Sequence, residues 1–306
     1  MNTTNDNFAV FILSHGRPDK IKTYDTLIRQ GYTGKIYFVI DNEDEQATRY
    51  YENFGDKVIM FDKAAIAETF DEGDNFQDRR AVIYARNACF EIAENLGLEY
   101  FLQLDDDYTT FWYIFSKDLI ADKRKVKNKL DELFYSMLKY YKNIPILTIA
   151  FCQGGDLFGG EKSTNLKKVW IKRKAMNTFF CSVSRPFCFF GRVNEDVNTY
   201  TNLGNRGGVF FTIFNAAINQ ETTQFTKGGM TDLYKNEGTY IKSFYTIMYN
   251  PSSVKIYMMG GYGETNHHRI HHKIDWETTV PCIISEDLRK ASRTQAQSLV
   301  SDNSRP

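Results

Sequence analysis

The stretch from Tyr100 to Asp107, which reads Y-F-L-Q-L-D-D-D, decides the fold prediction. Its first five residues form a mostly apolar run of strand length, and three carboxylates follow where that strand should leave a sheet. Adjacent carboxylates repel one another and resist desolvation, so Asp105, Asp106 and Asp107 suit a hard cation such as Mg²⁺ or Mn²⁺, which prefers oxygen ligands. The same acids could instead solvate a turn, where aspartate is common. The residues upstream favour the cation.

Those upstream residues predict an amphipathic helix over 79–97, because apolar residues recur there at steps of three and four. Gly97 ends the helix. With a rise of ~1.5 Å per helical residue and ~3.3 Å per strand residue, a chain reversal at this glycine returns the carboxylates to the first half of the helix. Arg79, Arg86 and Asn87 are therefore expected to face the same cleft.

The first part of the chain alternates strands with helices, which predicts an α/β fold with a doubly wound sheet. Ligands of open α/β sheets bind at the carboxyl ends of the strands. Ser14, His15 and Arg17, which follow the first strand, are therefore candidates for holding a nucleotide, although Gly16 and its neighbours could simply form a turn. The predicted strands are 8–14, 35–40, 57–61 and 144–152. One predicted helix ends at Leu27, and another spans residues 43–54.

Composition limits the possible functions. A chain of 306 residues, of which 42% are hydrophobic, can bury one large core, and we favour a single domain. No apolar run approaches about 20 residues, so no membrane span is expected. The 38 basic and 38 acidic residues cancel, which excludes attraction of the whole molecule to nucleic acid and leaves DNA contact to a local patch.

The five cysteines are odd in number, contain no C-x-x-C pair and follow no signal peptide. A reduced, cytoplasmic chain is therefore expected, in the host cytoplasm if the protein is viral.

Two basic runs could contact nucleic acid. The run from Lys117 to Lys129 is diluted by aspartates, and we interpret it as the solvated face of a helix that continues to Asn143. The run from Leu166 to Lys174 interleaves Trp170 with basic residues, so its cations could meet phosphates while the ring stacks on a base. An edge strand with alternating apolar and basic residues would give the same pattern.

Four of the five histidines cluster late in the chain, at positions 267, 268, 271 and 272. Histidines four residues apart on a helix can share a metal ion, so this cluster could form an independent zinc site.

The run from Ala85 to Asp107, A-R-N-A-C-F-E-I-A-E-N-L-G-L-E-Y-F-L-Q-L-D-D-D, resembles the signature of nucleotide-sugar glycosyltransferases with the GT-A fold. In these enzymes A-R-N opens a helix-strand pair that ends in a D-x-D metal motif. The resemblance implies a GT-A-like (Rossmann-like) α/β domain over 1–284, with a mixed, mostly parallel sheet flanked by helices. A nucleotide-sugar half would span 1–143, an acceptor half 144–284, and a polar tail 285–306.

The resemblance also implies roles for individual residues. Phe187 to Val197 is similar to the x-E-D motif of these enzymes, whose last carboxylate, here Asp196, acts as general base in inverting members. The same letters could instead be helix-capping residues for a helix that starts at Val197. The resemblance further implies that Asp105, Asp107 and a late histidine such as His268 bind Mn²⁺ or Mg²⁺. Glu195 would lie beside the base. The first loop would bind the donor, together with Asp41, Asp106, Arg79, Arg86 and Asn87.

The opening F-I-L-S-H-G-R-P-D and the overall layout resemble the TET-associated glycosyltransferases of tailed bacteriophages. These are similar to enzymes that add sugars to hydroxymethylated pyrimidines in DNA. The resemblance implies a UDP-sugar donor and, as acceptor, double-stranded DNA carrying 5-hydroxymethylcytosine or a sugar already attached to it. The alternatives are a glycan, lipopolysaccharide or protein acceptor, a metal-dependent nucleotidyltransferase or nuclease, and a non-catalytic nucleotide-sugar-binding module.

Overall fold

The computed structural model describes residues 7–73, 79–115, 122–153, 171–221, 240–259 and 269–291. The strands are β1 Phe8–Leu13, β2 Lys35–Asp41, β3 Val58–Phe61, β4 Tyr100–Asp105, β5 Tyr108–Phe115, β6 Asp122–Lys125, β7 Thr148–Gln153, β8 Phe179–Ser182, β9 Phe210–Gln220, β10 Val254–Met259 and β11 Arg269–Ile274. The helices are α1 Lys22–Arg29, α2 Ala47–Phe54, α3 Lys63–Ala67, α4 Ile83–Asn95, α5 Leu130–Lys142, α6 Glu195–Gly204, α7 Ile241–Tyr249 and α8 Trp276–Thr279, with a 3-10 turn at Gly55–Lys57.

Within the described ranges, nine strands form the main sheet, in the order β3-β2-β1-β4-β8-β7-β9-β5-β6. Among the described strands, β8 and β5 run against the direction shared by the other members of this sheet. Strands β10 and β11 form a separate antiparallel pair. The predicted class, an α/β fold with a mixed and mainly parallel sheet flanked by helices, is confirmed.

Both faces of the sheet are covered, and the alternation of side chains along β1 explains how. Phe8, Val10 and Ile12 join one buried cluster, together with residues of α1, α2 and α5. The residues between them, among them Phe11, join a second cluster with residues of α3, α4 and α6. A strand buried on both faces reads as a continuous apolar run, as this one does.

The predicted helix-strand pair before the acids is present, with Gly97 at the reversal. This glycine has φ +66°, a left-handed conformation that ends helices and that L-residues seldom adopt. Helix α4 begins later than predicted, so Arg79 lies outside it. The strand predicted over 144–152 likewise begins only at Thr148, because Pro145 has no N–H to donate to a sheet ladder.

The interpretation of the first basic run as a helix face is wrong for its described part. Residues 122–125 form β6, the last strand of the sheet, and all of them are exposed. Charged residues are common on such an open edge, where they discourage pairing with another chain. Of the second basic run, residues 171–174 are described, and they form a bend rather than a strand.

No helix within the described ranges has both the length and the apolar character needed to cross a membrane.

The buried side chain of Gln30 ties α1 to the far half of the sheet. Its Nε2 donates to the carbonyl oxygens of Phe111, at 3.0 Å, and Val126, at 2.7 Å. Its Oε1 accepts from the N–H of Phe111 at 2.7 Å. One amide thus satisfies three backbone groups that lie out of reach of water.

Replacing Gln30 with alanine should lower the free energy of unfolding by roughly 2–4 kcal/mol, because three buried backbone groups lose their partners. Urea denaturation followed by tryptophan fluorescence measures the change. Gln46→Ala is the matched control, since Gln46 is exposed and its side chain makes no capping hydrogen bond. The control should change stability by less than about 0.5 kcal/mol, and equal losses in the two variants would contradict this role of Gln30.

Candidate active site

Three neighbouring parallel strands end at one edge of the sheet and bring most of the predicted site residues together. Strand β1 lies between β2 and β4, with Leu13 in register with Val39 and with Asp105. The residues that follow β1 and β4 therefore meet at this edge, as ligand sites of open α/β sheets do. We call this edge, with the start of α6, the cleft.

Asp106 organises the loop after β1. Its carboxylate is 2% exposed, accepts a hydrogen bond from Ser14 Oγ at 2.6 Å and lies 3.0 Å from the guanidinium of Arg17. Tyr50 completes the group, since its hydroxyl lies 2.7 Å from Ser14 Oγ and accepts from the N–H of Arg17. Because both of its oxygens are bonded to this loop, Asp106 holds the loop in position, and its predicted contact with the donor stays a prediction.

A second charged group holds the start of that loop against the end of β2. The His15 Nδ1 atom lies 2.8 Å from the carboxylate of Asp41, which is also 3.2 Å from the ammonium of Lys63. The hydrogen bond with Asp41 raises the pKa of His15. Burial opposes ionisation of Asp41, but the bonds from His15 and Lys63 hold its pKa below the usual value. Arg79 joins the group through Glu43, at 3.2 Å.

Arg86 links the two halves of the cleft. Its guanidinium donates to Asp105 Oδ1 at 2.9 Å and to Glu195 Oε1 at 3.1 Å, and the residue is 1% exposed. The rings of Phe179 and Phe189 flank it at 5.1 and 5.9 Å. A buried arginine needs such partners, because an unpaired charge in this environment is strongly unfavourable.

Asp107 differs from the two acids before it in the hydrogen bonding of its carboxylate oxygens. Its Oδ2 accepts from Gln220 at 3.3 Å, whereas its Oδ1 is buried and has no hydrogen-bond partner in the described structure. Burial and repulsion from Asp105 and Asp106 raise the pKa of Asp107 to about 7. An orphaned carboxylate oxygen beside a second carboxylate fits a divalent cation with oxygen ligands.

The protein supplies only part of such a metal shell here. Within the described ranges, no group of three or more His, Cys, Asp or Glu side chains is arranged to hold a metal ion. Asp105 and Asp107 are the available pair, so further ligands would have to come from a bound phosphate, from water or from elsewhere in the chain. His268 lies outside the described residues.

Helix α6 carries the predicted base into the cleft. It begins with Glu195 and Asp196, after Asn194, which is left-handed at φ 63° and makes no side-chain cap. The helix thus begins two residues earlier than the capping interpretation placed it, with both acids in its first turn. Asp196 is 6% exposed, and its Oδ1 accepts from the N–H of Val197 at 2.7 Å. Burial, followed by repulsion from Glu195, raises the pKa of Asp196 to about 7.

A model of the family described as TET-Associated Glycosyltransferase matches residues 8–230, which include β4, Arg86 and Asp196. The chain belongs to this family. It is therefore a glycosyltransferase, and the family that the sequence resembles is confirmed. Comparison with curated proteins gives no match.

Three solved structures are similar to this glycosyltransferase. A mannosyltransferase from Pyrobaculum calidifontis, in complex with GDP-Man and Mn²⁺, is 12% identical, with a TM-score of 0.48 over 98% of this chain and 76% of its own. S. aureus TarS 1–349 is 10% identical, with a TM-score of 0.41 over 79% and 65% of the two chains. A mycobacterial protein is 8% identical, with a TM-score of 0.43 over 88% and 84%. Identities this low carry no functional information, so the assignment rests on the family match.

In this glycosyltransferase Asn87 holds the segment around Phe189. Its Nδ2 donates to the carbonyl oxygen of Phe189 at 3.2 Å, and its Oδ1 accepts from the N–H of the same residue at 2.8 Å. Both ends of the amide are thus used to hold the segment that leads into α6. These hydrogen bonds fix this segment, and the predicted contact of Asn87 with the donor stays a prediction.

The zinc site considered for the late histidines stays a prediction. His271 and His272 lie in strand β11 and not in a helix, whereas the residues four positions before them, His267 and His268, lie outside the described residues.

Sequence reasoning missed Tyr50, Lys63 and Gln220, which contact Ser14, Asp41 and Asp107 respectively. No local signal marks them, since each meets its partner only through tertiary packing.

Replacing Arg86 with alanine should lower the free energy of unfolding by about 3–5 kcal/mol, because Asp105 and Glu195 keep their charges in a largely buried setting and lose the partner between them. Chemical denaturation measures the loss. Arg124→Ala is the control, since Arg124 is paired with Asp122 but 75% exposed, and should cost about 0–1 kcal/mol. A similar loss in both variants would show that burial of the bridge is unimportant.

Proposed function

We propose that this glycosyltransferase moves a sugar from a UDP-sugar to 5-hydroxymethylcytosine in double-stranded DNA, or to a sugar already attached there. The observation that carries the proposal is the Arg86 bridge, which joins the metal-type carboxylate Asp105 to the acidic start of α6. A donor-activating site and a base for the acceptor thus line one cleft. The family description supports DNA as the acceptor context.

The donor side of the proposal rests on the two acids after β4. Asp105 and Asp107, with a late histidine such as His268, would hold Mn²⁺ or Mg²⁺. A divalent ion there would stabilise the negative charge that develops on the leaving nucleoside diphosphate. The unpartnered, buried Oδ1 of Asp107 supports this assignment, because it offers a hard ligand that nothing else in the described structure uses.

The loop after β1 and the end of β2 are the proposed nucleotide site. The Arg17 guanidinium is 32% exposed, and the side chain of His15 is 46% exposed, so both can reach a ligand while Asp106 and Asp41 hold them in place. Arg79, 30% exposed, adds a further cation at the same edge. These partly exposed cations suit an anionic nucleotide, and the buried acids fix the positions of the cationic side chains as hydrogen-bond donors.

Asp196 is the proposed general base. An alkyl hydroxyl is a weak nucleophile, and a carboxylate held against it can take its proton as the new glycosidic bond forms. A base on the side opposite the leaving group predicts inversion at the anomeric carbon. The raised pKa of Asp196 supports the role, because it makes the carboxylate a stronger base than an exposed aspartate.

The acceptor must be brought to this buried carboxylate. The 5-hydroxymethyl group of a paired cytosine lies in the major groove, so the enzyme must either reach into the groove or flip the base out. A net charge of zero means that phosphate contacts come from local groups. The nucleotidyltransferase or nuclease alternative is set aside, because the family is one of glycosyltransferases.

The decisive test combines the enzyme, Mn²⁺ and a panel of nucleotide sugars with duplex DNA that either contains or lacks 5-hydroxymethylcytosine. Mass spectrometry of the digested nucleosides should show one sugar added to the modified base alone, with UDP released in equal amount. Transfer only to a glycan, lipopolysaccharide or protein in parallel reactions would replace DNA as the acceptor. Absence of any mass gain across hexose and pentose donors would remove the DNA proposal.

Asp196→Asn should lower kcat by roughly 10²–10⁴-fold while leaving UDP affinity unchanged, because it removes the proton acceptor and keeps the shape. Asp107→Asn is the counterpart and should weaken Mn²⁺-dependent UDP binding, measured by calorimetry.

Since a base must be ionised, kcat/KM of the wild type should rise through about pH 7 and fall about tenfold per pH unit below it. A flat profile in the wild type, or one unchanged in Asp196→Asn, would exclude Asp196 as the base.

A further inference from the structure

Gln220 holds one oxygen of the Asp107 carboxylate from the end of a neighbouring strand. It is the last residue of β9 and pairs with Tyr108, the residue that follows Asp107. Its Nε2 donates to Asp107 Oδ2 at 3.3 Å, whereas Asp107 Oδ1 is buried and has no hydrogen-bond partner within the described ranges. The hydrogen bond from Gln220 therefore selects which carboxylate oxygen stays available.

A second amide fixes the orientation of the first. Asn177 Nδ2 donates to Gln220 Oε1 at 3.0 Å. Because the donor and the acceptor of an amide are on different atoms, this bond leaves the NH₂ group of Gln220 to face Asp107. The reversed orientation would place Gln220 Oε1 against the carboxylate and its Nε2 against the NH₂ group of Asn177, and both contacts are repulsive. We call Asn177 and Gln220 the amide pair.

The backbone of Asn177 is itself held in place. Its carbonyl oxygen accepts from the hydroxyl of Tyr108 at 2.8 Å, and Tyr108 is fully buried. Asn177 has φ 59°, a left-handed conformation that asparagine adopts more readily than most residues other than glycine. The amide pair and the residue after Asp107 thus belong to one hydrogen-bonded group.

The backbone on both sides of the Asp107 carbonyl is also fixed. The carbonyl oxygen accepts from the N–H of Glu221 at 3.2 Å, and the N–H of Tyr108 donates to Thr23 Oγ1 at 2.9 Å. What remains is rotation of the carboxylate about its last bond, a torsion whose preferences are broad in aspartate. The hydrogen bond from Gln220 restricts this rotation.

The side chain that donates to Asp107 is neutral, unlike the side chains paired with the other two acids. Arg86 pairs with Asp105. Arg17 pairs with Asp106. A guanidinium compensates the charge of the carboxylate that it binds, whereas an amide orients a carboxylate and leaves its negative charge for another partner. Such a carboxylate suits a hard cation, which takes carboxylate oxygens as ligands.

We propose that the amide pair positions Asp107 as a cation ligand. Gln220 holds Oδ2 so that Oδ1 is presented to the cation, and Asn177 holds Gln220 in the orientation that can donate. The inference rests on the proposed function, since it takes Asp107 to bind Mn²⁺ or Mg²⁺. Both amides act through Asp107, so they are positioning residues. Removing the hydrogen bonds that orient a metal ligand typically lowers metal affinity by about 10–100-fold.

The test measures the affinity for Mn²⁺ in the presence of UDP by calorimetry, for Gln220→Met, Asn177→Gly and the double variant. Methionine has nearly the length of glutamine but lacks its amide, and glycine adopts the left-handed conformation of residue 177 at no steric cost. Asn215→Met is the matched control, because Asn215 lies in the same strand and is exposed. Thermal unfolding confirms that each variant is folded.

Gln220→Met should raise the dissociation constant for Mn²⁺ by about 10–100-fold, and Asn177→Gly should raise it by a smaller factor. The double variant should bind Mn²⁺ no more weakly than Gln220→Met alone, because Asn177 acts only through Gln220. Asn215→Met should leave the affinity unchanged. Unchanged affinity in Gln220→Met, or losses that multiply in the double variant, would overturn the role of the amide pair.

Failure of the amide pair and failure of the proposed function are distinguishable, because Mn²⁺ binding requires neither DNA nor a sugar. If the wild type transfers no sugar to 5-hydroxymethylcytosine, the proposed function fails, and calorimetry still decides the role of the amide pair. If Asp107→Asn weakens Mn²⁺ binding and Gln220→Met does not, the amide pair alone fails. Absence of Mn²⁺ binding in the wild type, or equally tight binding by Asp107→Asn, would overturn both the cation site and the amide pair.

Discussion

The site depends on one buried guanidinium. Arg86 holds a carboxylate from the end of β4 and another from the start of α6, although Glu195 lies 109 residues further along the chain. Its own backbone is fixed, since the carbonyl oxygen accepts from Gln103 at 2.9 Å. Without the positive charge, the two acids would repel one another in a poorly solvated space, so the distance between the end of β4 and the start of α6 depends on this bridge.

The three acids after β4 perform different tasks because their side chains point in different directions. Leu102 and Leu104 face one core cluster while Gln103 faces Arg86. This alternation sends Asp105 towards Arg86 and Asp106 to the opposite face, with Ser14. Asp107 follows the strand and keeps an unpaired oxygen. Consecutive carboxylates thus serve as an ion-pair partner, a loop anchor and a candidate cation ligand.

Charge in this glycosyltransferase is organised locally. Positive and negative residues are equal in number, yet at the cleft Arg86 pairs with Asp105 and Glu195, and Arg17 pairs with Asp106. Charge pairs of this kind interact over a few ångströms, and dissolved salt screens them only weakly when the charged groups are buried.

The sequence by itself determined the alternation of strands and helices in the first half, the turn at Gly97 and the carboxylates after β4, because these follow from side-chain periodicity and glycine conformation. The same reasoning misread 122–125 as helix, since a charged edge strand and a solvated helix face have similar composition. Only the tertiary structure decided that Glu195 meets Arg86 and that Gln220 meets Asp107. These contacts join residues far apart in the chain, and the packing of helices and strands sets them, which no local propensity encodes.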